Sequence, residues 1–350
     1  AVIVWDGNYL PGPWLVSRVL AIASERVVEH GVVTLVIRRS HHIACLASLV
    51  KQATDRGLAA ILATSDPSEG FVAPFGGKEP LLTPNPIAIA YPGTRTPVWI
   101  DVSTSITTVG MARQKSAADT PFEHRWLIDA DGRPTNDPHV LDPGAGGSLL
   151  LLGGREYGHK GFGLSLMIEM LTQGLAGFGR QDSEKRWGGN VFLQVLDPGA
   201  FAGRDAFLRQ MDYLTERCYA NAPIDPANPV RMPGEMAQQG IQEAEVNGVT
   251  LAPSIVEALA AADDRDRDFA DFGGSEDELH MRGRFLERLQ QAVEGLGREH
   301  VHFVDDVDFE PPGGRGILGV VQHFADVVDA GVGRRVDFQQ IHIAPRINLR

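Results

Sequence analysis

At 350 residues the chain has room for two or three lobes, and 43% hydrophobic with 22% charged residues is the balance of a water-soluble globular protein. A formal net charge of −13 excludes nucleic-acid binding by bulk positive charge, and no apolar run reaches the ~18 residues that cross a bilayer. Two cysteines, Cys45 and Cys218, exclude a disulfide framework and a Cys-rich metal site.

The β-branched run Val32 to Arg38 predicts a buried strand, and Ile43 to Arg56 a helix ended by Gly57. Leu58 to Thr64, Ile87 to Tyr91 and Val98 to Val102 are further short apolar runs of strand character, with Gly/Pro loops over 74–77 and 82–86 between them. Ser103 or Thr104 is the expected N-cap of a helix that reaches Ser116. Asp129 to Gly132 is turn chemistry, and the Pro/Gly-rich stretch Pro138 to Gly147 suits a lobe boundary or an active-site loop. Gly161 to Leu175 is apolar at nearly every position and predicts a buried helix. Asn190 to Leu196 predicts a strand, and Arg204 to Tyr219 and Ser254 to Ala261 amphipathic helices. From Asp263 the chain turns acidic, so residues 1–262 and 263–350 are expected as two units, the second an acidic linker followed by mixed α/β structure. No basic and apolar leader opens the chain, and the expectation is a cytoplasmic protein.

Four stretches carry chemistry. Gly158-His159-Lys160-Gly161-Phe162-Gly163 puts a lysine among glycines where a helix is expected to begin. Glycines let backbone N–H groups approach an anion, and a helix N-terminus and a lysine both attract one. The same glycines also permit close helix packing, with the lysine simply solvated. Lys160 is not followed by Ser or Thr, and no Gly-x-Gly-x-x-Gly lies between a strand and a helix, so neither a Walker nor a Rossmann site is expected. Arg38-Arg39-Ser40-His41-His42 closes a strand with a candidate proton acceptor and two cations for a substrate carboxylate; two surface histidines are the plain alternative. If the strand alternation continues, only one of the two histidines enters a given pocket. Asp101-Val102-Ser103 ends a strand with an aspartate that could bind a ribose hydroxyl, and Arg231-Met232-Pro233-Gly234-Glu235 opens a helix near Met236. No His-Glu-x-x-His or second ligand cluster supports a metal.

With Ala73-Pro74-Phe75-Gly76-Gly77-Lys78, Asn85-Pro86 and Asp129-Ala130-Asp131-Gly132-Arg133-Pro134, these stretches stand in an order that resembles the malate/L-lactate dehydrogenase family, a non-Rossmann NAD(P)-dependent group that also includes ureidoglycolate dehydrogenase and diketogulonate reductase. The resemblance runs from Val4 to about Ala261. It implies a mixed, largely antiparallel α/β fold with flanking helices, a cytoplasmic homodimer, NAD or NADP as cofactor, and interconversion of a small 2-hydroxy acid and 2-oxo acid by hydride transfer. By the same resemblance His42 is the proton acceptor, matching the histidine of a Ser-Asn-His-Phe-Gly stretch. Cofactor contacts fall to Ser65, to Asp101, Val102 and Ser103, to His159, Lys160 and Gly161, and to Gly234, Glu235 and Met236. The sequence departs from the family at Ile43-Ala44, where Phe-Gly is usual, at Thr83-Pro84-Asn85-Pro86 for Gly-Thr-Asn-Pro, and at Gly110-Met111 for Gly-Lys. A Ser-His-Gly-x-x-Arg segment that supplies a second histidine and a carboxylate-binding arginine is absent from the sequence, which reads as a truncated edge at Ala1. The alternative function is therefore a fragment that binds cofactor but is catalytically impaired.

Overall fold

A computed structural model describes residues 1–183 and 186–249, and its centre is the β-branched run that the sequence marks as a strand. β1 (Val2–Asp6), β2 (Val32–Ser40), β3 (Ala59–Ser65), β4 (Ile87–Tyr91), β5 (Val98–Val102) and β9 (Gly189–Leu196) form one sheet in the order β1-β2-β9-β3-β4-β5. Only β1 and β2 pair in parallel; the other neighbours are antiparallel, as the family resemblance implies. Strand alternation sorts the side chains. Val33, Leu35 and Ile37 of β2 join one core with Leu62 and Leu193, while Val36 joins another with Ala63 and Phe192.

α1 (Gly12–His30) and α2 (Leu46–Thr54) cover the first face through Leu15, Val19, Leu46, Leu49 and Val50. α4 (Gly154–Glu169), extended by a π-helical turn over Met170–Gly174, lies on the second through Ile168 and Leu171. A small sheet of β7 (Pro134–Thr135), β6 (Leu127–Ile128) and β8 (Ser148–Leu149) has its own core of Val72, Leu82, Phe122, Leu127 and Leu149, against which α3 (Val109–Ala117) packs Ala112. The Pro138 to Gly147 stretch begins with a 3-10 turn, Pro138–Leu141, packed on this small sheet through Val140 and Leu141. α5 (Arg204–Tyr219) and α6 (Glu235–Asn247) complete the described residues.

Three expectations change. α3 starts at Val109 with Thr108 as N-cap, its hydroxyl accepting from the Met111 N–H, because Ser103 to Ser105 form a turn of their own: Thr104 donates backbone N–H and hydroxyl to the Pro84 carbonyl, and the Ser103 hydroxyl donates to the Ser105 carbonyl. α4 begins at Gly154, so the Gly158 to Gly163 run lies inside the helix rather than at its mouth. That helix is also not buried all round. Only Gly158, Gly161, Ser165 and Ile168 of it are buried, while Leu164, Leu166, Met167 and Met170 are exposed at 40–52%. The strand β1 and helix α1 carry no boundary signal strong enough to read from sequence: α1 opens on Pro11 without a side-chain cap. The helix at Ser254 to Ala261 and everything expected over 263–350 lie outside the described residues.

Candidate active site

The stretches singled out on β2 and β5 both stop at the same end of the large sheet. Ser40 pairs with Gly189, Ser65 with Asn190, Ala63 with Ile87, and Ile87 with Val102, so the ends of β2, β3 and β5 and the starts of β4 and β9 lie side by side. A cavity of about 530 Å³ lined by Ala59, Leu196, Phe201, Phe207 and Met211 is at the other end of β3 and β9, away from all of them, and is apolar.

β5 is the outer strand and works as a spine. At Trp99 its backbone N–H donates to the Pro233 carbonyl, and Gly234 stands so close that a Cβ would lie 2.9 Å from Trp99 Cβ and 3.0 Å from its nitrogen. Gly234 also has φ +89°, so glycine is required there twice over. Glu235 Oε2 accepts from the Met232 N–H at 3.0 Å and closes the turn into α6. Two residues along β5, Asp101 Oδ2 accepts from the Ala47 N–H at 2.8 Å and lies 3.9 Å from Cys45 Sγ, capping α2 from another element. Cys45 is buried, as expected of a small core residue. Beyond the end of β5, Thr104 accepts from the Leu152 N–H, and Gly161 rests on both: its Cβ would lie 2.6 Å from Leu152 O and 2.9 Å from Thr104 O. One edge therefore gathers Gly234 to Met236, Asp101 to Ser103 and the His159 to Gly161 turn of α4.

Glycines of the run serve the close-packing alternative, and Lys160 stands in solvent. Gly158 and Gly161 are packing glycines, whereas Gly163 has nothing within 4 Å. Lys160 is exposed, with Nζ 5.3 Å from the Tyr157 ring centre, and His159 stands edge-on to Phe75 at 5.7 Å. Lys160 is the seventh residue of α4, ~9 Å along the axis, and the field of the helix terminus fades within the first turn. The cation acts there alone.

Ser65 is not on this edge as a side chain. Its hydroxyl is 2% exposed, pairs with Thr172 Oγ1 at 2.6 Å and accepts from Gln173 Nε2 at 3.1 Å in the π-helical turn. From Gly161 to Thr172 is ~16 Å along the helix. A network that sequence reasoning did not find continues from there: Asn85 Nδ2 donates to Ser165 Oγ and Glu169 Oε1 at 2.9 Å each, Thr83 Oγ1 donates to Asn85 Oδ1 at 2.6 Å, and Arg180 pairs with Glu169 at 2.9 Å. Glu169 and Arg180 gave no signal because neither stands in a motif.

At the end of β2 a bulge between Ile37 and Ser40 turns the chain, with Arg39 at φ +56° and its N–H donating to Asn190 Oδ1. The two arginines are not available for a substrate carboxylate: both guanidiniums bind the Asp6 carboxylate, whose pKa ends low because, against burial, hydrogen bonding and charge from Arg39 and Arg38 prevail. His41 and His42 lie past the strand, so strand alternation does not separate them, and both rings meet Trp187. His41 is 2% exposed, edge-on to the indole at 4.1 Å, and its Nδ1 is buried with no hydrogen-bond partner. Burial first, then the charges of His42 and Arg186, push its pKa down to about 4, so it is neutral near pH 7. His42 is half-buried, stacks on the same indole at 5.7 Å and 24°, and its Nδ1 accepts from the Ala44 N–H at 3.2 Å. Among the described residues no group of His, Cys, Asp and Glu could hold a metal ion.

The malate/L-lactate dehydrogenase family model matches residues 1–260. The chain belongs to that family. Among curated relatives it is 30% identical to the L-lactate dehydrogenase of Cupriavidus necator, over 67% of this chain and 68% of that protein. It is 32% identical to the (2R)-3-sulfolactate dehydrogenase (NADP(+)) of Chromohalobacter salexigens over 70% of each, and 30% identical to a Δ1-pyrroline-2-carboxylate/Δ1-piperideine-2-carboxylate reductase of Pseudomonas putida over 72% of each. A dehydrogenase structure from Sinorhizobium meliloti superposes with a TM-score of 0.63 at 30% identity, covering 73% of this chain and 74% of that one. This family member is thus an oxidoreductase of the dehydrogenase and reductase class, and among its described residues no helix is long and apolar enough to cross a membrane.

Proposed function

We propose that the chain interconverts a small 2-hydroxy acid and its 2-oxo acid with NAD or NADP, His42 handling the proton and the β5 edge holding the cofactor. The observation that carries this reading is the edge itself: Asp101 caps the helix that follows His42, and three residues on along the chain Gly161 seats the Lys160 turn against Thr104. The donor set fits a dinucleotide. Lys160 offers the local cation that a phosphate needs on a chain of net charge −13, Ser103 a hydroxyl, and Asp101 a carboxylate of the kind that binds ribose hydroxyls. Val102, 46% exposed, adds apolar surface beside them, and Gly234, Glu235 and Met236 flank the same strand. Ser65 contributes by fixing α4 through Thr172 rather than by direct contact.

Bound nicotinamide supplies the hydride acceptor or donor. In the oxidative direction the hydroxyl proton passes to His42 as the C–H hydride leaves; in the reductive direction His42 returns it to the carbonyl oxygen. The hydrogen bond from Ala44 to Nδ1 places the neutral ring's proton on Nε2, where it can donate a hydrogen bond to a carbonyl oxygen; giving that proton up needs the imidazolium, with Nδ1 protonated and the Ala44 contact open. For Nε2 to accept a proton instead, that contact has to open. His41, buried and neutral, does not take the part.

A homodimer in the cytoplasm completes the proposal; the exposed apolar residues Leu164, Met167 and Met170 on α4 support the dimer. Residues 1–262 are proposed as the catalytic unit and 263–350 as a separate segment.

The test is enhancement of NADH or NADPH fluorescence on binding, then turnover with pyruvate, oxaloacetate, sulfopyruvate and Δ1-pyrroline-2-carboxylate. Turnover of a 2-oxo acid that His42→Ala lowers ~100-fold or more, with cofactor binding kept, is expected. Binding without turnover supports the impaired fragment instead, and no binding removes both readings.

A further inference from the structure

Trp187 has no part in any sequence motif, yet its indole touches both histidines. It is edge-on to His41 at 4.1 Å and stacked on His42 at 5.7 Å and 24°, inside the range in which aromatic pairs attract. Its own place is set from elsewhere. The preceding residue, Arg186, lies over the Tyr9 ring at 3.9 Å, and the following Gly188 is pinned where a Cβ would come within 2.7 Å of Ser40 O and 2.8 Å of the Tyr9 ring. Gly189 then enters the ladder opposite Ser40. The indole is therefore a fixed surface, and the imidazole is the part that adapts to it.

His42 needs such a surface. The torsion that turns an imidazole about its Cβ–Cγ bond is broad, and a hydrogen bond such as that from the Ala44 N–H at 3.2 Å fixes the direction of Nδ1 more than the plane of the ring. We propose that Trp187 is a positioning residue for His42: its indole face, which His41 also meets edge-on, sets the plane of the imidazole and so the direction of Nε2. The proposal rests on the reading of His42 as the proton carrier. Trp187 itself touches no reacting atom and does not serve as a cofactor contact.

The experiment uses the full chain and three variants at position 187 beside His42→Ala. W187L fills the space without a π face, W187F restores a face, and W187A tests removal. With a 2-oxo acid and NADH or NADPH, W187L and W187A are expected to lose kcat by ~30- to 100-fold, the scale of a misdirected catalytic group. The cofactor Kd from NADH fluorescence is expected to change less than about twofold, while W187F recovers most of the loss. The ring-current displacement of the His42 Cε1–H resonance, assigned with His42→Ala, is expected to vanish in W187L and persist in W187F. A folded W187L that keeps its kcat, or loses kcat and cofactor binding equally, overturns the positioning role while leaving His42 in place. Turnover unaffected by His42→Ala overturns the reading beneath it.

Discussion

Two glycines two residues apart in α4 should respond to alanine in opposite directions. A Cβ on Gly161 would lie 2.6 Å from Leu152 O, 2.7 Å from Leu152 N and 2.9 Å from Thr104 O, against the 3.4 Å at which such contacts become ordinary. All three are backbone atoms, so no rotamer change relieves them, and the helix must draw back by up to 0.8 Å, the difference of 3.4 and 2.6 Å. Overpacking of this kind costs about 1–3 kcal/mol, and the better helix propensity of alanine returns about 1 kcal/mol of it. Gly161→Ala is expected to be destabilising by up to about 2 kcal/mol, a Tm lower by up to ~4–8 °C for a chain of this size. Gly163 has nothing within 4 Å and is exposed, so Gly163→Ala keeps only the propensity gain, about 1 kcal/mol and ~2–4 °C upward. Thermal and urea unfolding of both variants give the signs, and NADH fluorescence gives the consequence: Gly161→Ala displaces the Lys160 turn from Thr104 and should weaken cofactor binding, whereas Gly163→Ala should not. Equal and positive shifts in the two variants would show that α4 is not seated on Leu152 and Thr104, and the β5 edge would lose its claim to be one site.

Lys160→Ala is expected to weaken NADH or NADPH about tenfold at low ionic strength, ~1.4 kcal/mol, and less at high salt, because an exposed cation acts through a screened Coulomb attraction; unchanged affinity returns Lys160 to a solvated surface role. Ala44 has φ +55°, a left-handed conformation that costs an L-residue about 1–2 kcal/mol, at the position where relatives of the resemblance carry glycine. After the greater unfolded-state freedom of glycine is subtracted, Ala44→Gly is expected to stabilise by about 0.5–1 kcal/mol, read as a higher urea midpoint; a lower midpoint refutes the strain. His139 lies between two carboxylates, 2.8 Å from Asp142 and 3.2 Å from Asp119, and hydrogen bonds first to Asp142 and then to Asp119 raise its pKa above 6.5. Its contribution is present below the unfolded value of 6.5 and is lost as pH rises through the folded value, so the Tm difference between the native chain and His139→Gln should shrink across that window. A difference independent of pH sinks this account.

The sheet was largely legible because its strands announce themselves by β-branched runs with turn residues at each end: Val32 to Arg38 lies wholly inside β2, and Ile87 to Tyr91 and Val98 to Val102 match β4 and β5 residue for residue. Where two local signals compete, sequence reading chose the stronger-looking one and missed. Ser103 and Thr104 have N-cap chemistry, but Pro84 and Leu152 take the hydrogen-bonding groups of Thr104 and the Ser103 hydroxyl turns to the Ser105 carbonyl, leaving Thr108 to cap α3. The apolar run after Gly161 conceals a helix with one face on the sheet and one face open, because composition cannot report which neighbours exist. At the site, glycine requirements were visible in Gly161 and Gly234, but the partners that make them requirements, Leu152 and Trp99, are distant in sequence. Asn85 stood in a motif, but Trp187 and Asn85's partners Glu169 and Arg180 did not; their roles come from the bulge at Arg39 and from packing of α4.

Backbone strain marks the same end of the sheet independently of any motif. Among the described residues, six non-glycine residues have positive φ: Asn8, Tyr9, Arg39, Ala44, Asn85 and Asp119. Asp119 follows α3, but the other five all sit where β1, β2 and β4 meet the loops that carry His42 and the β5 edge. Tyr9 N–H donates to Arg39 O, Arg39 N–H to Asn190 Oδ1, and Asn85 is gripped by Thr83, Ser165 and Glu169, so each left-handed residue is held by hydrogen bonds rather than by its own preference. At about 1–2 kcal/mol for an ordinary L-residue and less for asparagine, the strain at Tyr9, Arg39 and Ala44 is a cost that plain turn residues would avoid. Strain held this firmly gathers where fixed side-chain directions matter. What the hydrogen bonds hold in place here are the exits of the strands that carry His42 and that seat α4, with Lys160, at the same end of the sheet.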